Sequence, residues 1–409
     1  MTSLIKYLLL LTVFLTPLLS ATYNLGYEQI KAFFFILSIS LIGLLWRGKG
    51  FKWTQILKIA GIFILILLLT SLNGIDVMGS IVGNYPYFQG WILYAYLFLF
   101  SLIVSWTKIK LKYWAAVLSI SATLISLLAI KEWLLINIFH AQIPNYAGRA
   151  VSTFGQPNFF AGFLLLSLPF CYFLFKNQDK RLVVLGWGGG LVAMVGILIS
   201  YSRSTILLAL VLLLLGLTNE LKLKFKVGLI AGVIVLGSII IALNVSSGLV
   251  GNEVSKPFVT QNPDLTKESV EKRAYIWPEA LKIAWQKPLT GYGLENIGQA
   301  FADYFEENKH PLFEENLKVS PVLISLKELS INRSHSYVLD LLLFSGVIGL
   351  LGWLGLVGVL LNKLRQNIHD REQNVLLISL ITYLVWVQFQ NQSVVHLLYF
   401  WLLVGLIDK

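Results

Sequence analysis

One cysteine, Cys171, in 409 residues excludes an intramolecular disulfide and any cysteine-based metal cluster. Charge is almost as scarce. Only 13% of the chain is Asp, Glu, Lys or Arg, against about 25% in soluble domains, which excludes an ordinary aqueous globule. On the face that the charge pattern assigns to the outside there is no Asp-x-Asp pair. His140, His310 and His396 lack metal-ligand spacing from one another. A metal site and a cofactor are therefore not expected. Internal repeats and low-complexity tracts are missing too.

What is abundant is apolar sequence: 56% of the residues are hydrophobic, with 12 Trp and 17 Tyr suited to the two lipid–water boundaries. The apolar runs predict an all-α integral membrane protein of about twelve transmembrane helices, at 4–20, 31–46, 54–72, 91–106, 113–134, 158–175, 182–200, 204–218, 227–244, 337–361, 374–389 and 392–407. The first run resembles a signal peptide but lacks a clean small-x-small cleavage site. Removing it would reverse the topology, so it reads as a span.

A net charge of +11 would suit nucleic acid if it formed a patch, but it is dealt out to alternate connections. Arg47, Lys49 and Lys52; Lys108, Lys110 and Lys112; Lys176, Lys180 and Arg181; Lys222, Lys224 and Lys226; and Lys363, Arg365 and Arg371 occupy every second loop. The positive-inside rule makes these loops and both termini cytoplasmic, in a multi-pass protein of the cytoplasmic membrane. The expected division is a bundle of nine spans (1–244), an external segment (245–336) and three further spans (337–409). From Asn244 to Ser336 the chain carries ten Lys/Arg and twelve Asp/Glu, too balanced for a nucleic-acid or anionic-lipid surface. A helix is expected over 268–286, with Pro278 compatible with a helix start and Ala280, Leu281, Ala284 and Trp285 as its apolar face. Pro288, Gly291 and Gly293 would turn the chain into a second amphipathic helix at about 295–307, completing a small α-helical cap.

Three arginines lie on the external side, where short loops otherwise avoid basic residues: Arg149, Arg203 and Arg273. Any one of them alone reads as an interfacial arginine snorkelling to water. Arg203 resists that reading best, because its connection is only a few residues long. Together they offer guanidinium forks that stay charged in a low dielectric and match phosphate oxygens. A lipid-linked diphosphate presents such oxygens at this depth.

His335 sits where the long polar segment meets the tenth apolar run. The residues alone leave two readings open: a general base exchanging protons with water, or a polar residue at a helix start with Ser334 or Ser336 as cap. Arg333 and the helix dipole would both favour its neutral form, as a base requires. Asp340, the acid inside the same run, could orient His335 or a substrate hydroxyl.

These segments resemble the O-antigen ligase family. The resemblance rests on Arg149 with Thr153-Phe154-Gly155-Gln156-Pro157-Asn158; on Ser202-Arg203; on Arg273-x-x-x-Trp277 with Pro288-x-x-Gly291-x-Gly293; and on Ser334-His335-Ser336-Tyr337-Val338-Leu339 followed by Gly346-Val347-Ile348-Gly349. It covers roughly 145–360. It implies a metal-independent glycosyltransferase that moves a glycan from an undecaprenyl diphosphate carrier to an acceptor hydroxyl on a glycan, lipid or protein. By the same resemblance Arg203, Arg273 and Arg149 grip the diphosphate, and His335 activates the acceptor. Asp340, Asn158 and Ser336 are further candidates to orient or receive the acceptor. Ser336 stands where the family often carries Asn, and Ser345 where it often carries an acid. A polysaccharide polymerase is the alternative within this chemistry, and a lipid-linked saccharide transporter or flippase the alternative outside it. Membrane lipid is an expected partner; nucleic acid is not.

Overall fold

A computed structural model describes residues 2–22, 25–46, 48, 51–141, 148–217, 264–307, 331–366 and 369–409. The regular secondary structure among them is helical. In order the helices are α1 (Thr2–Leu15), α2 (Tyr27–Trp46), α3 (Gln55–Leu72), α4 (Val77–Val82), α5 (Trp91–Thr107), α6 (Leu111–Asn137), α7 (Pro157–Phe175), α8 (Lys180–Ile199), α9 (Arg203–Leu217), α10 (Asp264–Gln286), α11 (Ile297–Glu307), α12 (Tyr337–Gln366), α13 (Arg371–Trp386) and α14 (Val394–Asp408). Of these, α2, α3, α6, α7, α8 and α12 are long and apolar enough to cross a membrane. Each expected apolar segment coincides with a helix except 227–244, which lies outside the described residues, as do Lys222, Lys224, Lys226 and His310.

The bundle has a basic end. There α14 finishes at Asp408, whose carboxylate receives the hydroxyls of Thr54 and Ser105. The Lys363 amine donates to the Asp408 carbonyl, Lys409 to the Ile109 carbonyl and Arg371 to the Phe173 carbonyl. Cations thus close the carbonyls of Phe173 and Asp408, in the last turns of their helices, and that of Ile109 in the connection from α5 to α6.

Two helices that finish at this end are short. At 1.5 Å per residue, the 17 residues of α5 and the 15 of α14 span about 26 and 23 Å, less than a hydrocarbon core of about 30 Å. Every residue of α14 is buried. The far end of α5 stops low as well: the Trp91 indole donates to the Ile64 carbonyl at 3.0 Å, two turns below the end of α3. The loops leaving these helices therefore lie below the level that α3 reaches.

The main departure from expectation is in α12. The run 337–361 reads as one straight span, but the backbone breaks at Gly346 (φ 61, ψ −164). In a straight helix Tyr337 and Trp353 would be about 24 Å apart; instead their rings meet at 5.4 Å. So 337–345 is a short helix folded back against the longer arm, 347–366. The groups freed by the break are bonded by the 288–293 segment. Tyr292 and Gly293 donate to the carbonyls of Leu343 and Phe344, and the amides of Val347 and Ile348 donate to the carbonyls of Pro288 and Leu289. Glycine is required on both sides of this junction: a Cβ on Gly346 would lie 2.3 Å from the Leu289 carbonyl, and one on Gly291 would lie 2.6 Å from that of Leu343.

Outside the bundle, α10 and α11 match the two expected amphipathic helices, with two corrections. Pro278 lies inside α10 and not at a helix start. The buried face is Ile276, Ala280, Ile283 and Ala284, while Leu281 and Trp285 are exposed. Both faces satisfy helical spacing, and burial in the core that also holds Phe301, Phe305, Leu343 and Phe344 selects the first. Burial of that face holds the helix through the N–H that Pro278 lacks.

Candidate active site

The residues Arg333–Tyr337 form a tight turn before the folded-back arm. His335 adopts φ 62, a left-handed conformation that costs a non-glycine residue about 1 kcal/mol. The turn is held from both sides. Asp340 Oδ1 accepts from the Ser334 amide at 2.8 Å and from its hydroxyl at 2.7 Å. Ser336 N–H donates back to Ser334 Oγ at 3.2 Å, and Tyr337 N–H donates to the Val387 carbonyl at 3.1 Å. Asp340 is thus occupied in shaping the histidine turn.

Arg333 anchors the same turn from beneath. Its guanidinium lies between the rings of Tyr87 (4.4 Å) and Phe344 (4.9 Å), pairs with Glu295 and approaches Gln89 at 3.5 Å. Burial opposes its charge, but Glu295, and then Asp340, hold its pKa above the ordinary arginine value. The sequence suggested Arg333 as a cation acting on His335. In the structure its charge is balanced by a buried carboxylate, and its position makes it a structural pin. Truncating one side of such a pair leaves a buried charge alone, at about 3–5 kcal/mol. Glu295→Ala should therefore lower the unfolding temperature sharply in nanodiscs, and Glu295→Ala with Arg333→Met should recover most of the loss.

The connection between α13 and α14, Val387–Ser393, joins the site's parts. Gln388 Oε1 lies 3.4 Å from Ser336 Oγ, and Gln390 donates to Ser204 Oγ at 2.8 Å. Asn391 donates to the Tyr87 hydroxyl at 3.1 Å, while Gln89 donates to the Gln392 carbonyl at 2.7 Å. Two residues of one short segment therefore tie the His335 turn to the start of α9, where Arg203 is the first residue. Sequence reasoning missed this connection. Its signal was four amide side chains, Gln388, Gln390, Asn391 and Gln392, within five residues of an otherwise apolar C-terminal stretch.

The three arginines are placed differently. Arg149 is a bracket: its Nε donates to the Ser200 carbonyl at 2.7 Å and one terminal nitrogen to Asn158 Oδ1 at 3.0 Å. Arg149 and Asn158 together thus brace the Ser200–Arg203 turn, supported by Glu132, which accepts from the amides of Val151 and Ser152. Arg203 is exposed. Arg273 is half-buried, and its Nε has no hydrogen-bond partner among the described residues; burial lowers its pKa from the usual value. One turn along the same helix, the Trp277 indole donates to the Ser334 carbonyl at 2.9 Å, so Arg273 approaches the histidine turn from the α10 side. Neither Arg203 nor Arg273 pairs with an acid among the described residues, in contrast to Arg333.

Among the described residues no three His, Cys, Asp or Glu side chains gather as a metal site. His396 is buried within α14, where it stacks on Trp386 at 4.4 Å and bonds the Ser393 amide, a local cap. The site's chemistry is that of an imidazole in a constrained turn, two guanidinium groups that meet no acid among the described residues, and the amides of Gln388–Gln392.

Residues 189–354 match the family model described as O-antigen ligase. That range holds Arg203, Arg273, His335 and the break at Gly346. A curated relative, the general O-oligosaccharyltransferase of Acinetobacter baylyi (strain ATCC 33305 / BD413 / ADP1), is 26% identical over 295 residues, 69% of this chain. The chain spans about half of that relative's length, 47%.

Proposed function

We propose that this chain, whose residues 189–354 match the family model described as O-antigen ligase, is a glycosyltransferase acting on a lipid-linked glycan. The donor would be a glycan on an undecaprenyl diphosphate carrier, and the acceptor a hydroxyl of an envelope glycan, a lipid or a protein. The observation that carries this reading is the contrast among the arginines. Arg333 is neutralised by Glu295, whereas Arg203 and Arg273 meet no acid among the described residues and stand next to segments bonded to the histidine turn. Cations kept free of carboxylates beside a held imidazole suit an anionic leaving group.

In the proposed step the acceptor oxygen attacks the anomeric carbon and its proton passes to an imidazole nitrogen of His335. The bond from the anomeric carbon to the phosphate oxygen breaks, and the electron pair leaves with the diphosphate. Arg203 and Arg273 balance the charge that develops on it. Arg149 and Asn158 act through the Arg203 turn, and Asp340 and Ser336 through the His335 turn. On this reading the basic end is cytoplasmic, with both ends of the sequence there. The site lies on the external face of the cytoplasmic membrane, about twelve helices cross it, and 245–336 forms a cap between the ninth and tenth spans. A polymerase would differ only in using a second lipid-linked glycan as acceptor.

Mass spectrometry of envelope fractions from cells with and without the gene tests the assignment. A glycan-bearing lipid, polysaccharide or protein should disappear with the gene while its lipid-linked precursor accumulates. Unchanged acceptors and precursor would refute it.

A further inference from the structure

The outer surface of α10 is divided into strips. Ile276, Ala280, Ile283 and Ala284 face the protein. Glu279, Lys282 and Gln286, at i, i+3 and i+7, form one polar strip, with Lys282 and Glu279 paired at 2.8 Å. Pro278, Leu281 and Trp285 form another strip at the same spacing, one residue behind, and it is apolar and exposed. Leu281 is 47% exposed, Trp285 78%, and Leu289, just past the helix, 63%. In a helix with one water-facing side, polar and apolar exposed residues would be mixed. Here they are separated.

The backbone shows what lies against the apolar strip. Pro288 and Leu289 accept hydrogen bonds from Val347 and Ile348, the first residues of the long arm of α12. From that junction the exposed side chains continue as Val347, Ile348, Leu351 and Leu354 along a helix apolar enough to span a bilayer. The apolar strip of α10 is therefore continuous with a lipid-facing surface, and a tryptophan stands where the two meet, as is favoured at a membrane interface.

The geometry points to α10 as an in-plane interfacial helix: its Pro278–Leu281–Trp285 strip and Leu289 rest in the head-group region of the bilayer, at the site end of the bundle. The partner is phospholipid. The Trp277–Ser334 hydrogen bond on another side of the helix ties α10 to the His335 turn, so the depth of α10 in the lipid sets the depth of Arg273 and of that turn together.

Spin labels provide the test. Cys171, the single cysteine, is replaced by Ala, and single cysteines are placed at Leu281, Trp285 and Leu289, and at Glu279, Lys282 and Gln286. The full-length proteins are then reconstituted in phosphatidylethanolamine–phosphatidylglycerol bilayers. Relaxation by oxygen should exceed relaxation by a water-soluble nickel chelate at the first three positions, and the order should reverse at the other three, with helical period. As a label-free check, Trp285→Phe should remove a fluorescence component quenched by phospholipids brominated near the head group. Nickel-dominated relaxation at all six positions overturns the proposal, as does an absent quenched component. Spin–spin broadening at 281, 285 and 289 that vanishes on dilution with unlabelled protein would overturn it in favour of a second copy of the chain.

Discussion

His335→Ala, reconstituted with a lipid-linked glycan donor and an acceptor, is expected to lose glycan transfer by about 10²–10⁴-fold, the usual contribution of a general base. Binding of the carrier diphosphate should stay close to that of the unmodified protein. The split is the informative part. The histidine turn is held by Asp340, Val387 and Ser334 through backbone groups and hydroxyls, none of which the imidazole supplies. Removing the ring leaves those bonds in place, and the left-handed backbone, whose cost arises at Cβ, still has to be held by them. A folded protein that binds donor and does not transfer it is thus the expected outcome. Equal turnover by the variant would show that the imidazole takes no part.

The second large effect concerns the cations. Arg203→Lys and Arg273→Lys each retain charge but replace a planar fork by a point donor. If the guanidiniums stabilise the departing diphosphate, each substitution should reduce turnover by roughly 10²–10³-fold, as removal of one preorganised donor does elsewhere. Arg149→Lys should behave differently. Its hydrogen bonds to Ser200 and Asn158 brace a turn, so its loss should appear first as reduced thermal stability, with a smaller fall in turnover. Equal and small effects at all three positions would contradict the assigned division of labour.

Much of the fold could be read from hydropathy because lipid imposes one rule on the backbone: satisfy every polar group within the segment. That rule makes apolar runs into helices, and the runs among the described residues fall on helices. The break at Gly346 escapes it for a related reason. The 288–293 segment supplies the missing partners from far away in sequence, so the run 337–361 carries no local sign of folding back. The same applies to Gln388–Gln392. Reading spans at 374–389 and 392–407 left only two residues of connection, whereas the short α14 sets the real loop, Val387–Ser393, below the level of α3's end. In α10, periodicity offered two apolar stripes, and tertiary packing chose Ile276, Ala280, Ile283 and Ala284 over Leu281 and Trp285.

At the site, residue type carried more information than position. His335, Arg203 and Arg273 stood out because such side chains are rare on the side of the chain that avoids basic residues. Their supports did not. Arg333 and Glu295 are 38 residues apart, and Arg149 reaches Ser200 across 51. Nothing in the local sequence shows which arginine has a carboxylate waiting for it. That distinction separates a structural pin from a free cation.

The proposed centre for cutting a glycan from its diphosphate carrier joins the turn at His335 to the guanidiniums of Arg203 and Arg273, which meet no acid among the described residues. A reconstituted assay with a carrier labelled in both its glycan and its phosphates measures this directly. Glycan should reach the acceptor with release of one undecaprenyl diphosphate for each glycan joined. Movement of intact, still glycosylated carrier across the bilayer, with no glycan on any acceptor, would contradict it.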